Sequence, residues 1–479
     1  MTTQDLLYMF FIFALGSCVG SFLNVVIWRL PHRGREVIYL KTQGKLTLSW
    51  PPSHCPVCDS PIAWYQNVPI LSWLVLRGTC ANCSTPIPIR YPLVELGTAV
   101  LFVALYLAYF IGFWPTPGVA PGQQLFTDLA NDWPVFVLHL CLVAALLAAS
   151  AIDADWFIIP LSIPALLMVL GVVAAPFINH KAFPALAPDA LHPARWLMAK
   201  PILGAAIGVI LANFLLWLKV LPQSFANIPP GPEHPDAVNA ELDADKSKEE
   251  PIAPPPKMTR KSPSFIAVLA ILIFLAGAWI DSTPKWASLF TVIGGILIFL
   301  IGVLPRDKGQ TDVTDEVMDE ISGPRARHEI LKEALFLAIP LACALIAFVL
   351  PFDLPQYPWL TRVVGSLLGL LAGGGIVWLV RIGGTLGFGR EAMGLGDVHL
   401  MAGVGAIIGA PLVLIAFVTA PFLGILWAIV LKLLGKPNIL PYGPWLSVAS
   451  ILCLLVGNPL LQWYLTVLFP PTTGLVLPM

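Results

Sequence analysis

The feature that most constrains this chain is the recurrence of apolar stretches too long and too poor in charge for a water-soluble core. Residues 134–152 contain no Asp, Glu, Lys or Arg, and similar stretches recur to the C-terminus. A helix needs about 20 predominantly apolar residues to cross the hydrocarbon layer, where every backbone polar group must find its partner within the protein. Spans are therefore expected near 5–28, 92–114, 134–152, 157–178, 201–221, 264–281, 286–304, 334–351, 360–381, 397–410, 412–434 and 445–468. Gly409 and Pro411 make the span that begins at 397 short for a full crossing. With 57% hydrophobic and 11% charged residues, the chain reads as an all-α polytopic membrane protein with about 12 transmembrane helices, not as a globular core with an anchor. The N-terminus lacks a basic n-region and its apolar run is too long for a cleaved signal peptide, so it is read as the first span. A net charge of −1 says nothing of partners, and nothing indicates nucleic-acid binding; the lipid bilayer is the partner that composition implies.

Basic residues orient these spans. The first loop carries Arg29, Arg33, Arg35, Lys41, Lys45, Arg77 and Arg90, whereas the loop near 115–133 has Asp128 and Asp132 and no Lys or Arg. Positive residues concentrate on the cytoplasmic side, so the first loop is expected inside and the second outside. Lys181, Arg195 and Lys200 fall on the expected outer side and are an exception.

Two acid positions stand at the edges of apolar runs. Asp397 lies in GFGREAMGLGDVHLMAG (387–403) between small residues, and Asp153 and Asp155 close the third expected span. An ionised Asp at the centre of a membrane helix costs about 2.5–3.5 kcal/mol on insertion scales, so such residues line polar cavities and face partners. Gly394 and Gly396 remove side-chain bulk beside Asp397 and allow another backbone to approach it. The alternative is a helix-start Asp in a capping role. Six expected spans separate Asp153 from Asp397, and an even number returns both acids to one face of the membrane.

The first loop also carries Cys55-Pro-Val-Cys58 and Cys80-Ala-Asn-Cys83, two CxxC pairs separated by 21 residues. Four thiolates so spaced can close a tetrahedral Zn²⁺ site in a small cytoplasmic loop domain, with a redox dithiol or idle cysteines as alternatives. Cys18, Cys141, Cys343 and Cys453 lie in apolar spans and read as small buried residues.

Together these residues resemble the prepilin peptidases, the bacterial type IV leader peptidase family of GxGD aspartic proteases. The resemblance rests on GSCVGSFLNVVIWRLP (16–31), PPSHCPVC (51–58), IAWYQNVPILSWLVLRGTCANC (62–83), RYPLVE (90–95), AIDAD (151–155), MGLGD (393–397) and PYGP (441–444), in that order. It implies that Asp153 and Asp397 are the catalytic acids, with Asp155 the rival of Asp153. It also implies cleavage of the basic leader of type IV prepilins or type II secretion pseudopilins at the cytoplasmic face of the bacterial inner membrane. Many members then N-methylate the new terminus with S-adenosylmethionine. In the family the cysteine-bearing domain is associated with methylation and substrate docking, and Glu95 in RYPLVE is a candidate to read the substrate's basic leader or new amine. Two positions depart from the pattern: Pro160 is followed by Leu161 where the family commonly has Asp, and His399 replaces a usual Lys.

The largest departure is length. The expected divisions are 1–115 (first helix, CxxC domain, second span), 134–221 (the half bearing Asp153), 222–350 (an insertion) and 351–479 (the half bearing Asp397). Within the insertion, Pro222 to Ser262 is rich in proline and charge and reads as an extended linker, and Val313, Val317, Met318 and Ile321 give one apolar edge. Gly204, Gly208 and Trp217 recur at the same offsets as Gly365, Gly369 and Trp378, a weak internal echo. Two other classes fit parts of the pattern. One is a presenilin-type GxGD protease, which pairs GxGD with a YD motif and lacks the double-CxxC loop; the other is a non-enzymatic zinc-bearing scaffold or transporter with the acids as ion sites.

Overall fold

The computed structural model of the protein describes residues 2–33, 36–39, 42–111, 126, 128–180, 183–186, 193–224, 324–389, 391–433 and 441–468. Ten of the twelve expected spans fall on helices; those at 264–281 and 286–304 lie outside the described residues, as do the Pro-rich linker from residue 225 on and the apolar edge at 313–321. Among the described residues seven helices are long and apolar enough to cross a membrane, and three shorter apolar helices accompany them. The chain is a multi-pass, mostly helical membrane protein. Its described residues divide into two compact units, one drawn from Met1–Trp114 and Leu146–Phe157, the other from Pro115–Ala145, Ile158–Gly231 and Lys308–Met479.

In the first unit, α1 (Thr3–Arg29) begins at a capping box: the Asp5 amide donates to the Thr2 hydroxyl (3.2 Å), and the Thr2 amide donates to the Asp5 carboxylate (2.6 Å). It packs on α3 (Arg90–Phe110) through Gly16 and Gly20, where an added Cβ would lie 2.6 Å from the Cα atoms of Ala99 and Glu95. Small residues four apart let two membrane helices touch backbone to backbone. The loop between them holds a hairpin of β1 (Glu36–Tyr39) and β2 (Thr42–Lys45), followed by the short helix α2 (Leu71–Val75). Buried Arg29 folds the loop back by donating to the carbonyls of Thr47 and Leu48, each at 3.3 Å. The last residues of α4 (Leu129–Trp156) complete this unit.

The second unit contains α5 (Ser162–Ala174), α6 (Ala199–Trp217), α7 (Pro324–Val349), α8 (Pro358–Phe388), α9 (Leu395–Ile408), α10 (Ala410–Leu433) and α11 (Gly443–Leu468). Its tightest crossing is between α8 and α9. A Cβ on Gly369 would stand 1.9 Å from the Gly405 carbonyl oxygen, and one on Gly373 would stand 2.1 Å from that of Met401. The Ser366 hydroxyl donates to the Ala406 carbonyl (2.7 Å) across the same seam. α9 also meets α5, with Gly403 against Leu167 and Gly171 against Ala406. Gly204 and Gly208 of α6 close on α7, at Cys343, Ala347 and Pro340. The echoed glycines thus serve different neighbours, since Gly365 meets Ala185 while Gly369 meets Gly405.

The charged position expected to end the span at 381 does not end it. Arg381 is buried at 2% exposure and α8 continues to Phe388, where Gly389 (φ +70°) takes the left-handed turn and donates its amide to the Thr385 carbonyl at 2.9 Å. A charge terminates a span only when it must reach water, and Arg381 has protein partners instead.

Candidate functional site

The two CxxC turns are copies of one another at an offset of 25 residues. The amides of Cys55 and Cys80 donate to the carbonyls of Ser60 (3.0 Å) and Thr85 (2.8 Å), while those of Asp59 and Ser84 donate back to the carbonyls of Cys55 (2.9 Å) and Cys80 (3.0 Å). Asp59 and Ser84 both take positive φ, +51° and +57°, and isolated bridges His54–Pro61 and Thr79–Pro86 close the two turns. The four sulfurs of Cys55, Cys58, Cys80 and Cys83 lie within 4.8 Å of one another, and Cys55 Sγ is 3.7 Å from Cys83 Sγ. Tetrahedral Zn–S bonds of about 2.3 Å place sulfurs about 3.8 Å apart, so this cluster has the donors and spacing for a metal ion. Burial pushes the Cys55 thiol up to about 11. Hydrogen bonds from Ser60 and the Asn82 amide pull Cys58 down to about 6, and the amides of Cys83 and Asn82 lower Cys80. Cys58 thus favours the anionic form that a cation requires, and Cys80 is shifted toward it.

Glu95 sits in the second turn of α3 at 8% exposure and accepts from the Ile70 amide at 2.7 Å and from Ser21. Ile70 has φ +63°, unusual for a β-branched residue, at the start of α2. Glu95 is therefore a post that holds the cysteine-bearing loop against the α1–α3 pair. Asp155 is paired with Arg90: Nη1 donates to Oδ1 at 3.0 Å and Nη2 stands 2.6 Å from Oδ2. Asp153, one turn from the end of α4, is buried at 7% exposure.

In the second unit, Gly394 is the N-cap of α9 and Asp397 lies in the first turn, 8% exposed. A Cβ on Gly394 would stand 3.4 Å from Asp397 Oδ2, and one on Gly396 would stand 2.9 Å from Ile159 Cβ. The two glycines thus keep one flank of the carboxylate clear and let α9 lie against Ile159. Tyr442, from PYGP, is pushed up to about 12 by burial and by the charge of Asp397. Arg381 meets Glu333 of α7 through Nε (2.9 Å to Oε2) and Nη2 (2.8 Å to Oε1), and its Nη1 donates to Glu391 and to the Met393 carbonyl. Glu333 also accepts from Trp378 Nε1 (2.7 Å) and the Ser224 hydroxyl (3.1 Å). Sequence reasoning missed Tyr442 and this arginine hub as site neighbours. Tyr442 was within reach of it, since PYGP had been singled out; Glu333 was not, being 48 residues from its partner.

The structure assembles the four cysteines, joins Glu95 to Ile70 and Asp155 to Arg90, and packs both glycines around the start of α9. Asp153 and Asp397 belong to different compact units.

Two family models match the chain: the bacterial peptidase A24 N-terminal domain over residues 14–109 and the type IV leader peptidase family over residues 326–429. A prepilin leader peptidase/N-methyltransferase of Klebsiella pneumoniae is 33% identical over 220 residues, 45% of this chain and 87% of that protein. One of the same description from Myxococcus xanthus is 36% identical over 205 residues, covering 43% of this chain and 47% of that protein. A type 4 prepilin-like proteins leader peptide-processing enzyme of Escherichia coli is 40% identical over 146 residues, 29% of this chain and 46% of that protein. The chain thus spans about half the length of the latter two relatives. No solved structure matches it.

Proposed function

Because the chain belongs to the type IV leader peptidase family, we propose that it cleaves the basic leader of type IV prepilins or type II secretion pseudopilins at the cytoplasmic face of the bacterial inner membrane. Asp153 and Asp397 are the acids of this reaction. The observation that carries the reading is that each is a buried carboxylate at a helix end, Asp397 with Gly394 and Gly396 just before it and Asp153 with its neighbour Asp155 already engaged by Arg90. An acid committed to an arginine is a poor proton carrier, which favours Asp153 over Asp155 for the chemistry. Two carboxylates at close range hold one proton between them; the ionised one takes a proton from water as it attacks, while the protonated one polarises the scissile carbonyl.

The four cysteines hold a structural Zn²⁺ that ties the two turns together and builds a platform on the first two helices. The working divisions are 1–115, 134–221, 222–350 between the acids, and 351–479. A second activity, N-methylation of the newly exposed terminus, draws its methyl group from S-adenosylmethionine.

The test is co-expression with a basic-leader prepilin, followed by the N-terminal mass of the pilin. The wild-type chain yields a shortened product, carrying one added methyl group when the second activity is present. Asp153→Asn and Asp397→Asn each accumulate uncut prepilin, and normal processing by either removes that residue from the pair. Metal analysis of the protein purified under reducing conditions finds one zinc per chain, lost in a Cys55→Ser, Cys80→Ser double variant; no zinc in the wild-type protein refutes the metal assignment.

A further inference from the structure

We infer that Arg381 is a positioning residue that fixes the loop leading into Asp397, and that α7, through Glu333, is part of the peptidase half rather than an accessory of the inserted segment. The inference rests on the leader-peptidase reading and deepens it. Arg381 and Glu333 are 2% and 4% exposed, inside a protein whose surroundings are largely lipid. An ionisable residue at such depth is retained where its charge has a task. Glu333 engages Nε and Nη2 and so sets the plane of the guanidinium. That plane aims Nη1 at the Glu391 carboxylate and the Met393 carbonyl, the latter one residue before the N-cap of α9 and four before Asp397. Otherwise the described stretch 391–394 is held by the Ala392 amide donating to Thr385 Oγ1 (3.2 Å) and by Ala392 lying over Gly384.

A guanidinium is suited to this because it presents five donors in one rigid plane and can satisfy three partners on two segments together. An ammonium has the charge but no plane. It can keep Glu333 or reach the loop, and in neither case does it fix the direction from one to the other. The region expected as an insertion thus contributes one carboxylate on which the start of α9 depends, and the matched family region from residue 326 includes it.

The experiment uses the full chain in nanodiscs with a purified prepilin, measuring kcat and KM for Arg381→Lys and Glu391→Gln. A displacement near 1 Å at a reacting group can lower rate by about 100-fold. Arg381→Lys is expected to lower kcat by about 10- to 100-fold with KM changed less than about threefold, since substrate binding is not what the hub organises. Glu391, which is one-third exposed, can be changed without opening the core, so Glu391→Gln serves if Arg381→Lys does not fold; it should lower kcat by about tenfold. A parallel arm places a cysteine at 392 (Ala392→Cys) and follows its maleimide labelling by mass spectrometry. Labelling should quicken when Arg381→Lys, or Glu391→Gln in its stead, is added. Wild-type kcat per folded molecule in the folded variants, or an unchanged labelling rate, overturns the inference. A wild-type chain that cuts no prepilin would instead defeat the protease reading, and the labelling arm would still decide whether the hub holds the loop.

Discussion

Replacing Gly369 by alanine puts a methyl group where α8 and α9 have no room for one. The added Cβ would stand 1.9 Å from the Gly405 carbonyl oxygen and 3.0 Å from the Gly409 Cα. Ordinary contact begins near 3.4 Å, so the helices must part locally by 3.4 − 1.9 = 1.5 Å. Backbone blocks the methyl, and no side-chain rotation relieves the clash. Overpacking of this kind costs about 1–3 kcal/mol. Displacement of α9 carries Asp397 with it, and a shift near 1 Å in a reacting group is worth up to about 100-fold in rate. Gly375 is the internal control, because a Cβ there meets nothing within 4 Å, and helix propensity favours alanine by about 1 kcal/mol. Prepilin processing in membranes, with thermal unfolding of the purified variants, reads both effects. Gly369→Ala should melt lower and process slowly, while Gly375→Ala should match the wild type in processing and melt no lower. Full processing and an unchanged melt in Gly369→Ala would refute the claim that this crossing sets the position of Asp397.

Two further outcomes are expected. In metal-free protein, alkylation of Cys58 should rise with a midpoint near pH 6 while Cys55 resists until about pH 11. The depressed Cys58 value stabilises the folded loop above the ordinary thiol value of 9.0, and that contribution is lost as pH falls through about 6; the raised Cys55 value contributes below 9.0 and is lost as pH rises through about 11. Equal alkylation rates for the two at neutral pH would contradict this. Glu95→Ala removes the acceptor of a charge-assisted hydrogen bond worth about 1.5–3 kcal/mol and should expose residues 70–76 to limited proteolysis, whereas Ile70→Gly, which suits a positive φ, should not.

The legible parts of the sequence were those set by local pattern. Span positions follow from unbroken apolar length, and Gly409 with Pro411 correctly shortens α9, whose C-cap is Gly409 at φ +85°. The cysteine cluster was legible because each CxxC turn is built from contiguous residues and the pair lies within one loop. Glu95 was placed correctly at a helix entrance, but its partner Ile70 comes from a tertiary contact with no periodicity to announce it. The span expected over 360–381 stops at Arg381, although the helix runs past it. The carboxylates that meet Arg381 come from the charged segment of α7 and from the approach to α9, which only folding brings together.

The shortness of α5 and α9 has a consequence for chemistry that consumes water. Helices of 13 and 14 residues rise about 20 and 21 Å, against a hydrocarbon layer of about 30 Å. They fall short of that layer by about 9–10 Å, so irregular backbone continues them at membrane depth, and such backbone is tolerated only where it is buried in protein or lines a water-filled cavity. A wet cavity of that kind beside the acid at the head of α9 would give solvent and an extended peptide a short way in.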